Sequence, residues 1–210
     1  MDAVVFDFGG VFMASPFVAI REASAEKGPE FARTLDIVFG DYASDTNHPW
    51  HRIERGEIDI MTARTEIEEL GRAEGLALDL FEMLQYIGSS GGVRDDMIDC
   101  VRRVRERGLK TAILTNNIAE GRDFWRPMLP LELFDAVVDS SEVGMRKPNP
   151  AIYLHTLTEL GGVEPARAVF LDDFEGNIVA ARGVGMVGVL VEEDYAPAIA
   201  EVDALLAAIT

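Results

Sequence analysis

The sequence predicts an α/β protein, a Rossmann-like parallel sheet core carrying one inserted helical segment. Three observations point there. The run Ala3-Val4-Val5-Phe6 reads as a short strand buried on both faces, as strands of parallel sheets do. From Val93 onward, helical patterns alternate with short apolar runs, the signature of a parallel sheet with crossover helices. Between these regions, residues 15–92 show helical patterns and no strand. The expected division is therefore a core of 1–14 and 93–210 and a helical subdomain over 15–92.

Taken in order, the first strand stops at Asp7 and is followed by Phe8-Gly9-Gly10, where glycines allow a sharp turn and close approach of a ligand to the backbone. Helices are expected over Phe17–Lys27, Phe31–Gly40, Ile60–Gly71 and Leu78–Ile87. The third has the clearest register, with Ile60, Ala63, Ile67 and Leu70 on one face, Arg64, Glu66, Glu68 and Glu69 opposite, and Asp59 as N-cap. The run Gly88-Ser89-Ser90-Gly91-Gly92 closes the subdomain as a flexible link. In the core, Arg94–Arg107 reads as helix, Thr111–Leu114 as strand and Gly121–Met128 as helix. Strand Ala136–Val138 then leads into a long loop through Pro148 and Pro150. Helix Ala151–Leu160, strand Ala168–Leu171, a helix containing Ile178–Arg182 and strand Val187–Val191 follow. The last helix carries Ile199, Val202, Leu206 and Ile209 on one stripe.

Composition excludes some function classes. The 210 residues include 37 acidic against 19 basic side chains, a formal charge of -18. A nucleic acid or an anionic membrane surface requires clustered Lys and Arg, so neither is an expected partner. A small anion remains open wherever a few cations or a metal reverse the sign locally. The single cysteine, Cys100, sits in an amphipathic pattern with Met97, Val101 and Val104 and reads as a packed thiol in a reducing compartment. Met1-Asp2-Ala3 carries no basic leader region and no apolar run approaches ~18 residues, so a soluble, cytoplasmic protein is expected.

The chemistry gathers at strand ends. Asp7, Thr115-Asn116-Asn117 and Asp172-Asp173 each follow or end a strand, and Lys147 lies on the loop held by Pro148 and Pro150. Strand ends of a parallel sheet share one edge, so these groups can converge. Carboxylates from two strands make a hard-oxygen site suited to Mg²⁺. A hydroxyl, an amide and an ammonium can bind phosphoryl oxygens, and one carboxylate can attack phosphorus. Taken alone, Asp7 also reads as a turn cap, and Asp172-Asp173 as an acidic pair at a helix N-terminus.

With these residues in order, the chain resembles the haloacid dehalogenase (HAD) superfamily. The four motifs are Asp7 in Val-Val-Phe-Asp-Phe-Gly-Gly-Val, Thr115 after Ala-Ile-Leu, Lys147 in Gly-Met-Arg-Lys-Pro-Asn-Pro, and Asp172-Asp173 in Phe-Leu-Asp-Asp-Phe-Glu-Gly-Asn. The helical segment lies where the family's C1 cap belongs. The wording is similar to the phosphatase branch that includes epoxide-hydrolase N-terminal domains and sugar-1-phosphate phosphatases. The resemblance implies a Mg²⁺-dependent phosphomonoesterase acting on a small phosphorylated metabolite through an aspartyl-phosphate. It implies Asp7 as nucleophile and metal ligand, the Gly9 carbonyl and Asp173 as further ligands, and Asp172 beside them. It implies Thr115, Asn116 and the Gly10 N–H on phosphoryl oxygens, Lys147 neutralising both nucleophile and transferring group, and Asn177 orienting Lys147 or the acidic pair.

One position departs from the pattern. Phosphatases of this superfamily carry a second Asp two residues after the nucleophile as acid and base, and here that position is Gly9. General acid–base help is worth ~10²–10⁴-fold. Three consequences are open: a substrate with a good leaving group (a sugar-1-phosphate, acyl phosphate or aryl phosphate), a substitute acid from the segment Asn47–Glu54, or loss of turnover with binding retained. Trp50 and His51 are expected to line the substrate site. The pair His48 and His51 has no third ligand spaced for a metal, and His155 and Trp125 read as structural. Arg146 is either a second cation at the phosphate or solvated. The rival functions are a 2-haloacid dehalogenase, against which the acidic pair argues, and a domain that only binds a phosphorylated ligand.

Overall fold

In the computed structural model, which describes residues 1–85 and 92–208, five parallel strands form one sheet in the order β3-β2-β1-β4-β5. They are β1 (Ala3–Phe6), β2 (Lys110–Thr115), β3 (Ala136–Asp139), β4 (Ala168–Asp172) and β5 (Val187–Leu190). The central strand β1 pairs Phe6 with Ile113 on one side and with Leu171 on the other. The Asp7 N–H continues the ladder to the Leu171 carbonyl at 2.9 Å, which brings Asp7 level with Asp172. The chain leaves β1 toward β2 on one side and later toward β4 on the other, so Asp7 lies at the topological switch point of an open α/β sheet.

Alternation along the strands fills two cores. Val4 and Phe6 pack on one face with α6 (Asp95–Glu106) and α11 (Ala196–Ala207) through Val101, Val104, Val202 and Leu206. Ala3 and Val5 pack on the other with α9 (Pro150–Glu159) and α10 (Glu175–Gly183) through Ile152, Tyr153, Ile178 and Ala181. Each buried aliphatic or aromatic side chain contributes ~1.5–3 kcal/mol. Cys100 is part of the first core, and burial pushes its thiol up to about 11, as expected for a packed group.

The segment between β1 and β2 holds α1 (Pro16–Lys27), α2 (Pro29–Phe39), α3 (Pro49–Glu54), α4 (Ile60–Ala73) and α5 (Leu80–Leu84) around a cluster of its own that includes Leu35, Val38, Ile53, Ala63, Ile67 and Leu80. Proline opens α1, α2 and α3, where its missing N–H costs no helical bond, and Ser15, Asp59 and Asp79 cap α1, α4 and α5 by accepting backbone N–H groups. Helix α3 was not expected, because its inward face carries His51 and Glu54 beside Ile53 and so shows no apolar stripe. The expected helix to Ile87 is described only over Leu80–Leu84. The run Gly88–Gly91 and Ile209 lie outside the described residues. The expected helix Gly121–Met128 is instead α7 (Arg122–Trp125) between two 3₁₀ turns, since Pro127 has no N–H to continue it. The loop after β3 contains α8 (Ser140–Val143), capped by Asp139 and ended by Gly144 at φ +69°.

The helical insert is seated on the core by a buried ion pair. Arg146 Nε donates to Glu54 Oε2 at 2.6 Å, with the side chains 0% and 4% exposed. Arg146 also donates to the Ser44 carbonyl at 2.6 Å and lies 4.8 Å from the Tyr42 ring. Asn149 donates to Asp45 at 3.0 Å, and Gly56, at φ +65°, leaves no room for a Cβ against the Ser141 carbonyl. Removing one partner of such a pair strands the other charge, so Glu54→Ala is expected to lower unfolding stability by ~3–5 kcal/mol in urea melts.

His51 is fully buried, and both ring nitrogens are engaged. Nδ1 accepts from the Thr46 N–H at 3.1 Å and Nε2 donates to the Phe39 carbonyl at 3.1 Å, so the neutral ring ties α2 to α3. Burial, then the charges of Arg146 and His48, push its pKa down to about 4. The unfolded chain takes up that proton near 6.5 and the folded one only near 4, so stability from this group is lost as pH falls through that window. The wild type is expected to lose more stability between pH 7 and pH 5 than His51→Gln. Equal losses in urea melts at the two pH values would contradict it.

Candidate active site

Three strand ends bring their polar groups together. Asp7 follows β1, Thr115 ends β2 and Asp172 ends β4. Lys147 reaches them from the loop after α8, where its peptide bond to Pro148 is cis. Its ammonium lies 2.8 Å from Asp7 Oδ1 and 2.6 Å from Asp172 Oδ2, and the side chain is 1% exposed. Asp172 is held in turn by the Phe174 N–H at 2.8 Å and by Asn177 Nδ2 at 3.1 and 3.0 Å from its two oxygens. Asn177 thus orients Asp172, the member of the acidic pair that holds Lys147. Asn116 clamps Lys147 from the other side, accepting its N–H at 2.8 Å and donating to its carbonyl at 3.0 Å. This occupation of Asn116 was not expected. Its amide fixes the lysine loop at the edge of the site.

The electrostatics favour a cation. Carboxylate oxygens of Asp7, Asp172 and Asp173 lie within 4.8 Å of one another. Burial first, then Asp172 and Asp173, push Asp7 up to about 8 against the pull of Lys147. Burial and Asp172 push Asp173 up to about 7, although Ser15 donates a hydrogen bond to it. Burial opposes the charge on Lys147, but Asp172 and Asp7 outweigh it and its pKa stands above the ordinary value. Three carboxylates against one ammonium leave negative charge in excess. An all-oxygen donor set of that charge fits a hard divalent ion such as Mg²⁺.

The two glycines after Asp7 differ. Gly10 has φ +72°, and a Cβ there would overlap the Asp173 carboxylate, so only glycine fits. Gly9 has no positive φ, and a Cβ there meets only Pro16, at 3.7 Å from Cδ. The backbone at position 9 would therefore accept a Cβ at ordinary contact distance. Arg94 holds this loop from behind, donating to the Gly10 carbonyl at 2.5 Å and the Val11 carbonyl at 3.2 Å.

Beside the carboxylates opens a cavity of about 500 Å³ between the insert and the core. Asn116 and Phe174 line its core side, and Pro16, Phe17, Phe39, Tyr42 and Trp50 its insert side. Phe17 stacks on Phe174 at 4.8 Å, and Tyr42 meets both rings edge-on at 5.1 and 5.4 Å. Trp50, expected to line the substrate site, lies on the wall of this cavity, with its Nε1 donating to Glu54 at 3.0 Å. Arg146 and His51 are not. Arg146 turns away from the carboxylates to pair with Glu54, and His51 is enclosed in the insert. His48 is half-buried, accepting from the Trp50 N–H and donating to the Ile37 carbonyl, so both of its nitrogens are engaged within the insert. Phe17, Tyr42 and Phe174 carry no signal in the sequence, since nothing local distinguishes them from core aromatics. Among the described residues no helix is long and apolar enough to cross a membrane.

Comparison with known proteins agrees with this geometry. The model of the haloacid dehalogenase-like hydrolase family matches residues 1–185. Mouse acyl-CoA dehydrogenase family member 10 is 33% identical over 97% of this chain, which spans only 19% of that relative's length. The sesquiterpene phosphatase astK of Aspergillus oryzae is 28% identical over 92% of this chain and 91% of its own. Among solved structures, a HAD family enzyme from Bacteroides thetaiotaomicron in complex with magnesium and inorganic phosphate superposes with a TM-score of 0.61 at 18% identity, covering 94% of this chain and 98% of its own. L-2-haloacid dehalogenases share the fold as well. With the family match running from the first strand through the fourth, the chain belongs to the haloacid dehalogenase-like hydrolases.

Proposed function

We propose that this hydrolase is a Mg²⁺-dependent phosphomonoesterase acting on a small phosphorylated metabolite. One observation carries the reading: a buried lysine ammonium bridges Asp7 and Asp172, with a third carboxylate, Asp173, beside them. Asp7, Asp173 and the Gly9 carbonyl would hold the ion, with Asp172 positioning Lys147 behind them. The ion supplies positive charge that keeps Asp7 ionised and offsets the charge of a phosphoryl group. An Asp7 oxygen attacks phosphorus, the bond to the ester oxygen breaks, and that oxygen leaves with the electron pair. Water then cleaves the aspartyl-phosphate, releasing inorganic phosphate and restoring Asp7. Thr115 and the Gly10 N–H bind phosphoryl oxygens while Lys147 neutralises charge on both partners. The 15–92 segment acts as the cap, excluding water over the site.

The dehalogenase reading uses the same Asp7 against carbon. That chemistry needs no metal, however, and the three carboxylates gathered here around one ammonium are a donor set that fits a divalent ion. Phosphatase-named relatives and a magnesium–phosphate complex on the same fold support the phosphatase.

Phosphate release measured with Mg²⁺, with chelator, and in Asp7→Asn tests the reading. Release is expected to require the metal and to fall to background in Asp7→Asn, and Lys147→Ala is expected to lower kcat by ~10²–10³-fold. Halide release from 2-haloacids without metal, or binding of phosphate esters with no turnover of any, would overturn it.

A further inference from the structure

Resting on the phosphatase reading, we infer that the substrate is an aryl phosphate monoester whose leaving group is an uncharged aromatic alcohol. Two independent features of the site converge on this class.

The first is the cavity. Its volume of about 500 Å³ takes a drug-sized group. Five aromatic rings, Phe17, Phe39, Tyr42, Trp50 and Phe174, line it, with Ile20 and Leu35 adding aliphatic surface. Among the described residues no lysine or arginine does, and its charged groups are the three carboxylates Asp36, Asp41 and Glu54. A leaving group with a second phosphate or a carboxylate finds no counter-ion on this wall, since Arg146 behind it is already paired with Glu54. Most of the wall is ring face and aliphatic surface, so a sugar's hydroxyls find acceptors only at Asp36, Asp41 and Asn116, and each hydroxyl left unpaired against a ring is costly. A flat apolar ring stacks on these walls.

The second is the absent proton donor. Gly9 has no side chain to protonate the leaving oxygen, and the buried polar groups of the wall are committed elsewhere. Tyr42 donates its hydroxyl proton to Glu54 Oε1 at 3.0 Å. Glu54 also accepts from Trp50 and Arg146. Asp36 and Asp41 are exposed. An ester that splits without protonation must leave as a stable anion. A phenol does this and an aliphatic alcohol does not. As Asp7 bonds to phosphorus, the electron pair of the P–O bond departs on the aryl oxygen, which takes its proton from solvent. Of the good leaving groups, an aryloxide also matches the walls.

Steady-state phosphate release from 2-naphthyl phosphate, octyl phosphate, glucose 1-phosphate and 4-carboxyphenyl phosphate, with Mg²⁺, tests this. The expected kcat/KM for 2-naphthyl phosphate exceeds that for octyl phosphate by at least ~10²-fold, the lower range of acid assistance, and is higher than those for glucose 1-phosphate and 4-carboxyphenyl phosphate, which the wall disfavours. Glucose 1-phosphate or octyl phosphate matching it would overturn the substrate class while leaving the phosphatase reading intact. Gly9→Asp is expected to raise the octyl-to-naphthyl ratio ~10²-fold. Should Gly9→Asp fail to fold, the wild-type substrate series decides. Asp36→Arg, at an exposed helical position, is expected to raise 4-carboxyphenyl phosphate relative to phenyl phosphate. If no ester releases phosphate, the phosphatase reading falls and the aryl class is judged by binding. Thermal stabilisation of Asp7→Asn by 2-naphthyl phosphate and not by glucose 1-phosphate keeps it, and equal or no stabilisation removes it.

Discussion

The ammonium of Lys147 is the charge on which the site depends. It is withdrawn from water together with Asp172, and each ion so buried costs several kcal/mol unless fully partnered. The partners are supplied from three strand ends and one loop. Asp7 and Asp172 share the ammonium, Asn177 and the Phe174 N–H hold Asp172, and the Asn116 amide grips the lysine backbone. The parallel register that sets Asp7 level with Asp172 is therefore a condition for Lys147 to be buried at all. Its neighbour Arg146 faces the opposite way and pairs with Glu54 of the insert. One loop thus fixes the charge at the centre and the seating of the helices over it.

Much of this arrangement was legible in the sequence. Strands of a doubly covered parallel sheet are continuous apolar runs, and their polar ends must share one edge, so Asp7, Thr115, Asp172 and Asp173 could be placed together without coordinates. What failed to show was anything set by contacts between distant segments. Arg146 and Lys147 are consecutive basic residues on a turn, and no local pattern says that one faces the carboxylates and the other the insert. His51 looked available because a histidine beside a tryptophan suggests a binding wall, yet two backbone groups of the insert had already claimed its nitrogens. The aromatic wall was hidden for the same reason: Phe17, Tyr42 and Phe174 meet only once the insert folds back onto the loop after β4.

Gly9 and Gly10 show how neighbouring identical residues answer to different constraints. At position 10, positive φ and the Asp173 carboxylate leave no alternative, so glycine there is structural. At position 9 neither condition applies, and a side chain would meet Pro16 at ordinary contact distance. A glycine that the backbone does not demand removes a proton donor from the site. The apolar cavity next to it offers no replacement in reach, because Glu54 is already held by Tyr42, Trp50 and Arg146. The chemistry of the leaving group and the chemistry of the wall are therefore restricted together.

The two places where the chain passes between core and insert are both bonded to this centre. Ser15 caps α1 through its side chain and also donates to Asp173, so the start of the insert and one of the acidic groups share an oxygen. On the return, the Arg94 N–H donates to the Phe12 carbonyl at 2.8 Å and its guanidinium holds the Gly10 and Val11 carbonyls. Arg94 also lies 4.4 Å from the Tyr195 ring, which anchors it to the core. The two crossings are unequal. Arg94 stiffens the loop that presents Gly9 and Gly10, whereas Ser15 ties a helix of the insert to a carboxylate. A rotation of the insert that moves α1 must carry or break the Ser15–Asp173 bond, just as one that moves α3 must carry or break the Arg146–Glu54 pair beside Lys147.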